Sequence, residues 1–209
     1  MVATPYYRVP PRGYGGVESV VAGLVDRLVA RGPHVTLFAA GTRGTAAQEF
    51  VRTRELTQAE QLALELPEVV HAARVEGLLQ AHTVDLVHDH PLAGPLTAVA
   101  RRSPTVVTVH GAMDELSEIY RPLGSTVSLV AVSDAQRQRA PDLNWVGTVH
   151  NGIDVDSFPY RADKDDYVLF LGRFHPQKAP HLAIEAARRA GVRIILAGKC
   201  TERIEHEYY

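Results

Sequence analysis

Cysteine is almost absent from this sequence: Cys200 is the single one among 209 residues. One thiol builds no intrachain disulfide, thiolate zinc site or CxxC redox pair, and a reducing, cytoplasmic setting is the expectation. Long apolar runs are missing as well, since none approaches the roughly 18 residues that a membrane-spanning helix requires. The first residues, Met1 to Pro11, carry prolines and tyrosines in place of a basic segment followed by an apolar one, so neither secretion nor membrane insertion is indicated. Lysine is scarce, 3 against 19 arginines, and a formal net charge of -2 exerts no general pull on nucleic acid or acidic membrane. Any anion site has to be local. Disorder is excluded by 45% hydrophobic against 22% charged residues, the balance of an ordinary globular protein.

Two catalytic signatures are also missing. No G-x-S-x-G elbow occurs and Cys200 lacks the context of a nucleophile, so hydrolase chemistry gains no support. Gly13-Tyr-Gly-Gly16 falls short of a dinucleotide fingerprint because Glu18 stands where the third glycine belongs. The apolar run through Ala39 does not end in an acid for a ribose, which disfavours an NAD enzyme.

What is present is an alternation of short β-rich runs and amphipathic segments. Met1 to Thr4 reads as the tail of a buried strand, followed at once by the loop residues Pro5, Pro10, Pro11 and Gly13. Val17, Val20, Val21, Leu24, Val25, Leu28 and Val29 recur at helical spacing, and Gly32-Pro33 closes that helix. Val35–Ala39 then completes strand, glycine loop, helix and strand, the layout of a right-handed parallel crossover. A helical stretch over 58–82, interrupted near Pro67, precedes Val84–His88; a helix over Leu92–Arg101 precedes Thr105–Val109; Leu129–Val132 and Val146–Val149 follow. The expected class is α/β, a Rossmann-like doubly wound parallel sheet of six strands over residues 1–160. Beyond the polar stretch Arg161 to Asp166, residues 161–209 supply Tyr167–Leu171, a helix over Pro180–Ala190 and Val192–Ala197, the start of a second, incomplete Rossmann-like domain.

Two loops at strand-to-helix junctions are candidates for phosphate. Gly15 and Gly16 permit close backbone approach beside the free amides of a helix start, although a simple tight turn explains them equally well. Gly172-Arg-Phe-His-Pro-Gln-Lys178 places two cations, Arg173 and Lys178, in one loop, where they either hold a pyrophosphate or are merely solvated. His88, His90 and His110 fall at or just beyond strand ends, the rim where open parallel sheets place ligands. Side chains along a strand alternate between faces and no further ligand cluster is evident, so no metal site is expected from His88-Asp89-His90. His110 is the better candidate, as a hydrogen-bonding partner of a substrate hydroxyl or as a loop-stabilising residue.

Taken in order, Gly15-Gly-Val-Glu18, Asp85-Leu-Val-His88, Thr108-Val-His-Gly111, Val132-Ser133, Asn151-Gly-Ile-Asp154 and Gly172-Arg-Phe-(x)3-Gln-Lys178 resemble the family 4 retaining glycosyltransferases of the GT-B fold. The resemblance implies two Rossmann-like domains, with the acceptor held mainly by the first and a nucleotide-diphosphate sugar mainly by the second. It implies that Gly15, Gly16, Arg173 and Lys178 meet the donor diphosphate and that His110 acts at the sugar. Glu18 and Ser133 are weaker cleft residues. Transfer to a hydroxyl acceptor would proceed with retention, with no cofactor and no metal. The family's acidic E-x7-E segment has no counterpart here: Glu60, Glu68 and Glu76 share the spacing but read as solvent-facing charges. A non-catalytic binding or assembly subunit is therefore the alternative, with self-association or a partner chain completing the second domain.

Overall fold

The structure, a computed structural model, describes residues 1–55, 57, 59–62 and 64–209, with Ala59 by its backbone alone. The chain divides into two compact units, Met1–Ile153 and Asp154–Tyr209.

In the first unit, helix α1 (Gly16–Ala30) leads into strand β1 (Thr36–Ala40), which pairs in parallel with β2 (Glu49–Arg54). Helix α2 (Glu65–Leu79) leads into β3 (Val87–Asp89), followed by β4 (Thr105–Val109), helix α3 (Met113–Tyr120), β5 (Val127–Ala131), helix α4 (Asp134–Arg139) and β6 (Trp145–Thr148). Strands β3, β4, β5 and β6 pair in parallel in that order. Val2 joins the two groups, bridging Phe38 of β1 and Asp89 of β3 in parallel. The layer order is thus β2, β1, the N-terminal segment, β3, β4, β5, β6, a doubly wound parallel sheet.

Sequence periodicity explains the two covered faces. Along β1 the side chains alternate, so Leu37 and Ala39 pack with Val21, Ala22 and Val25 of α1, whereas Phe38 packs with Val75 and Leu79 of α2. Each such buried aliphatic side chain contributes on the order of 1.5–3 kcal/mol. A third cluster joins Val107 and Val109 of β4 and Leu129 of β5 to Met113 and Tyr120 of α3.

Four expectations are corrected. The sequence reading omits β2, because Glu49 and Arg52 break its apolar pattern; these side chains are exposed on a strand whose pairing runs to β1 alone among the described residues, where charge is tolerated. The helical stretch over 58–82 is a short 3-10 turn at Ala59–Gln61 and then α2, with Leu56, Gln58 and Ala63 outside the described residues. Pro67 interrupts nothing, since it occupies the first turn of α2, where its missing N–H forfeits no intrahelical bond. The helix expected over Leu92–Arg101 is a 3-10 helix, Gly94–Ala100. Arg101 closes it, donating to Gly94 O at 2.9 Å while pairing with Asp89 at 2.6 Å and Glu76 at 2.9 Å.

The second unit contains β7 (Val168–Leu171), helix α5 (Pro180–Ala190), β8 (Ile194–Ala197) and helix α6 (Arg203–Tyr208), with β7 and β8 parallel. Pro180 is pre-set for the first turn of α5, and Gly191 ends it at φ 65. Ala179, just ahead of Pro180, is held at φ 51, a left-handed conformation that L side chains disfavour. At the strand exits the backbone of Gly198 packs so closely on Gly172 that a Cβ on Gly198 would lie 1.7 Å from Gly172 O.

These two positions have opposite expected responses. Ala179→Gly relieves the backbone and stabilises the unit by about 1 kcal/mol after glycine's own entropic cost, whereas Gly198→Ala forces the strand exits apart and destabilises it by about 2 kcal/mol. Hydrogen-exchange protection of the β7 and β8 amides reads both; an unchanged Gly198→Ala variant would contradict the close approach.

Candidate active site

The exits of the N-terminal segment, β3 and β4 carry residues that line one cavity at the C-terminal rim of the first sheet. The tight turn into α1 requires glycine at position 15: φ is 150, and a Cβ there would meet Pro11 Cβ at 2.7 Å. Gly16 differs, because a Cβ would find nothing within 4 Å. It borders a cavity of about 330 Å³, so the start of α1 opens onto space, although the Glu18 amide is taken by its own carboxylate.

Glu18, in that same first turn, is buried at 3% exposure and accepts hydrogen bonds from the Thr4 hydroxyl, its own amide and the Tyr7 amide. Burial raises its carboxyl above the ordinary value, and these bonds oppose the rise. Glu68 does the same work in the first turn of α2, accepting from Ala93 N at 3.3 Å and from the Leu92 amide, with its carboxyl also pushed up by burial. The expectation of a solvent-facing Glu68 is therefore wrong. Its carboxylate is turned inward to satisfy the loop amides after β3, at 5% exposure. Glu76 likewise meets Arg101, while Glu60 is exposed.

The histidines at the ends of β3 and β4 form one chain of contacts. His90 Nδ1 and His110 Nε2 are 2.9 Å apart, with ring centroids 5.3 Å apart and planes 25° from parallel, and the His88 and His90 centroids are 4.5 Å apart. His88 Nε2 lies 2.8 Å from Thr108 Oγ1, and His90 Nε2 lies 3.0 Å from Met1 Sδ. Asp89, between the two histidines, points to the other face and pairs with Arg101. Among the described residues no group of three or more His, Cys, Asp or Glu side chains is arranged to hold a metal.

Gly16, Glu18 and His110 thus come together around one cavity, which Tyr6, Glu68, His90 and Tyr120 also line. Gly15 shapes the turn behind Gly16. Ser133 does not border the cavity: it caps α4, its Oγ accepting from Gln136 N at 3.3 Å. Gln136 matters more to the site. Its amide donates to Val109 O at 3.0 Å and Gly111 O at 2.7 Å, clamping the backbone on both sides of His110. Ser133-x-x-Gln136 signals a helix start in the sequence, but nothing there reveals the clamp. Tyr6 was equally hidden; its hydroxyl donates to Leu64 O at 3.0 Å. A larger cavity, about 570 Å³, lies at the strand starts around Glu76, His82 and Arg102, and no expected site residue lines it.

In the second unit, Arg173 leaves the end of β7 and its Nη1 donates to Glu202 Oε1 and Oε2 at 3.1 and 3.2 Å, with Glu205 at 3.8 Å. Lys199 joins the same two carboxylates at 2.5 and 3.4 Å. Lys178 ends a 3-10 turn, Pro176–Lys178, and is exposed.

Burial holds the site histidines neutral. It lowers His88 and His110 to about 4 and His90 well below its ordinary value. Beneath the sheet His71, whose Nε2–H donates to Ala3 O at 2.9 Å, is lowered to about 4 by the same cause. Unfolded histidine charges near 6.5, so between about pH 6.5 and 4 the unfolded chain binds more protons than the folded one. This part of the stability is present above that window and is lost as pH falls through it. Glu18 and Glu68, raised when folded, act oppositely: their contribution is present at low pH and is lost as pH rises from the unfolded carboxyl value through the folded one. In a ¹H NMR titration the His71, His88 and His110 ring signals are expected to stay flat from about pH 8 to about pH 5.5 and to move only near pH 4. A midpoint near 6.5 for any of them contradicts its buried, neutral state.

Residues 14–157 match the family described as Glycosyltransferase Family 4. No curated protein matches the chain. Among solved structures, that of AviGT4, a glycosyltransferase involved in avilamycin A biosynthesis, matches with a TM-score of 0.61 at 24% identity. The match covers 99% of this chain and 58% of AviGT4, so the chain spans little more than half the length of that protein. The likeness shows the fold, which is that of a GT-B glycosyltransferase. With the family match extending over most of the chain, this protein belongs to glycosyltransferase family 4.

Proposed function

We propose that this chain provides the acceptor-side domain and part of the donor-side domain of a retaining glycosyltransferase that moves a sugar from a nucleotide diphosphate to a hydroxyl acceptor. Family membership together with one cavity bordered by Gly16, Glu18 and His110 carries this reading. In it, the amides at the start of α1 approach the donor phosphates, and His110 meets a hydroxyl of the donor sugar or the acceptor. Arg173 and Lys178 neutralise charge on the departing diphosphate. That charge grows as the glycosidic bond breaks, so cations pre-positioned for it stabilise the transition state more than the ground state. The reading asks Arg173 to exchange part of its pairing with Glu202 for phosphate oxygens.

A second reading, a binding or assembly subunit that needs a further chain, is favoured by one observation. Leu169, Leu171 and Leu182 in the second unit are 56, 78 and 61% exposed, which is apolar surface that a free domain seldom leaves uncovered. Light scattering separates it, since a persistent monomer argues against the need for a partner.

Calorimetric titration with UDP and GDP tests the sugar-transfer reading. One of them is expected to bind, and the double variant Arg173→Ala, Lys178→Ala to weaken that binding at least about tenfold, the equivalent of losing one charge-assisted hydrogen bond. No heat with either nucleotide, together with no release of nucleoside diphosphate from a broad donor and acceptor panel, would sink it.

A further inference from the structure

The chain of contacts from Met1 through His90 to His110 specifies where the His110 proton sits. The thioether sulfur of Met1 carries no hydrogen, so it can only accept. His90 Nε2, 3.0 Å from that sulfur, is therefore the N–H donor; a bare nitrogen there would set two lone pairs against each other. A neutral imidazole carries one N–H, which leaves His90 Nδ1 a bare acceptor. The atom 2.9 Å from it, His110 Nε2, is then the donor of the bond between the two rings. His110 Nδ1 is left with a lone pair. His88 does not disturb this order, because its Nε2 faces the Thr108 hydroxyl, which serves as donor or acceptor alike.

We propose that His90 is a positioning residue that locks His110 in the Nε2–H tautomer, so that His110 Nδ1 can accept a hydrogen bond from a ligand hydroxyl and cannot donate one to a phosphate oxygen. His90, at 4% exposure, is kept neutral by burial, which removes the doubly protonated form that would reverse the inter-ring bond. Gln136 holds the backbone on either side of His110, so the ring is constrained from both ends. The tautomer stands on this geometry and on the burial that keeps His90 neutral, whereas the assignment of its partner as a sugar or acceptor hydroxyl rests on the sugar-transfer reading.

Long-range ¹H–¹⁵N spectra of the ¹⁵N-labelled chain at neutral pH decide the matter. Expected are a bare Nδ1 and a protonated Nε2 on both His90 and His110, with a nitrogen–nitrogen coupling across the bond from His110 Nε2 to His90 Nδ1. A protonated His110 Nδ1, or shifts averaged between the two tautomers, overturns the proposal in the wild-type protein, with no variant that has to fold. In His90→Leu the His110 signals are expected to move toward the averaged positions; unmoved signals show that His90 is not what sets the tautomer. Inorganic pyrophosphate is expected to leave the His110 Nδ1 signal in place, and its protonation on that addition would overturn the ligand assignment. Absence of sugar transfer with these spectra as expected would instead count against the enzymatic reading and leave the tautomer intact.

Discussion

Four backbone hydrogen bonds to the N-terminal segment hold the first unit together as one sheet. Phe38 N donates to Met1 O and Ala3 N to Phe38 O on one side; Val2 N donates to His88 O and His90 N to Val2 O on the other, all within 2.9–3.2 Å. Without this segment β1 and β3 would be edges of two separate sheets, each with unpaired backbone groups that are costly to leave buried. His71 adds a side-chain bond to the same segment from α2. The segment also carries Thr4, Tyr6 and Tyr7 directly onto the rim, so the element that completes the sheet furnishes one wall of the cavity.

The cavity's electrostatics follow from that construction. Two carboxyl groups, Glu18 and Glu68, are committed to hydroxyl and amide donors of the surrounding loops, and three imidazoles are committed to one another, to Thr108 and to Met1. Burial favours the neutral form in both sets. In such a lining the direction of each hydrogen bond, more than net charge, distinguishes one polar atom from the next. In the second unit Arg173 is steadied by the carboxylates of the α6 capping box, Glu202 and Glu205.

The second unit shows how a loop is shaped by close backbone approach. Gly198 lets the exit of β8 pack against Gly172, and Ala179 accepts a left-handed conformation so that Pro180 can begin α5. Such strain persists where surrounding structure over-determines it. Here it shapes the segment between β7 and α5 that carries Arg173 and Lys178.

Much of the architecture was legible in the residues. The spacing of Val21 and Val25 defines the buried face of α1, the β-rich runs around Leu37, Val107, Leu129 and Ile195 mark strands, and Gly191 closes α5. The ordered glycine, histidine and basic motifs pointed to the family. Local pattern failed where partners lie far away in sequence. Strand β2 is charged because it lies at an edge, Pro67 is harmless because it falls in a first turn, and Glu68 is buried because loop amides some 25 residues on need an acceptor. The sequence by itself determined α1, α5 and the apolar strands, and which chemical groups gather at the strand ends, because periodicity and turn chemistry are local properties. Only the tertiary structure decided that Met1, His90 and His110 form one hydrogen-bonded line and that Gln136 clamps it, because the direction of a hydrogen bond depends on atoms brought together across 20 to 89 residues of chain.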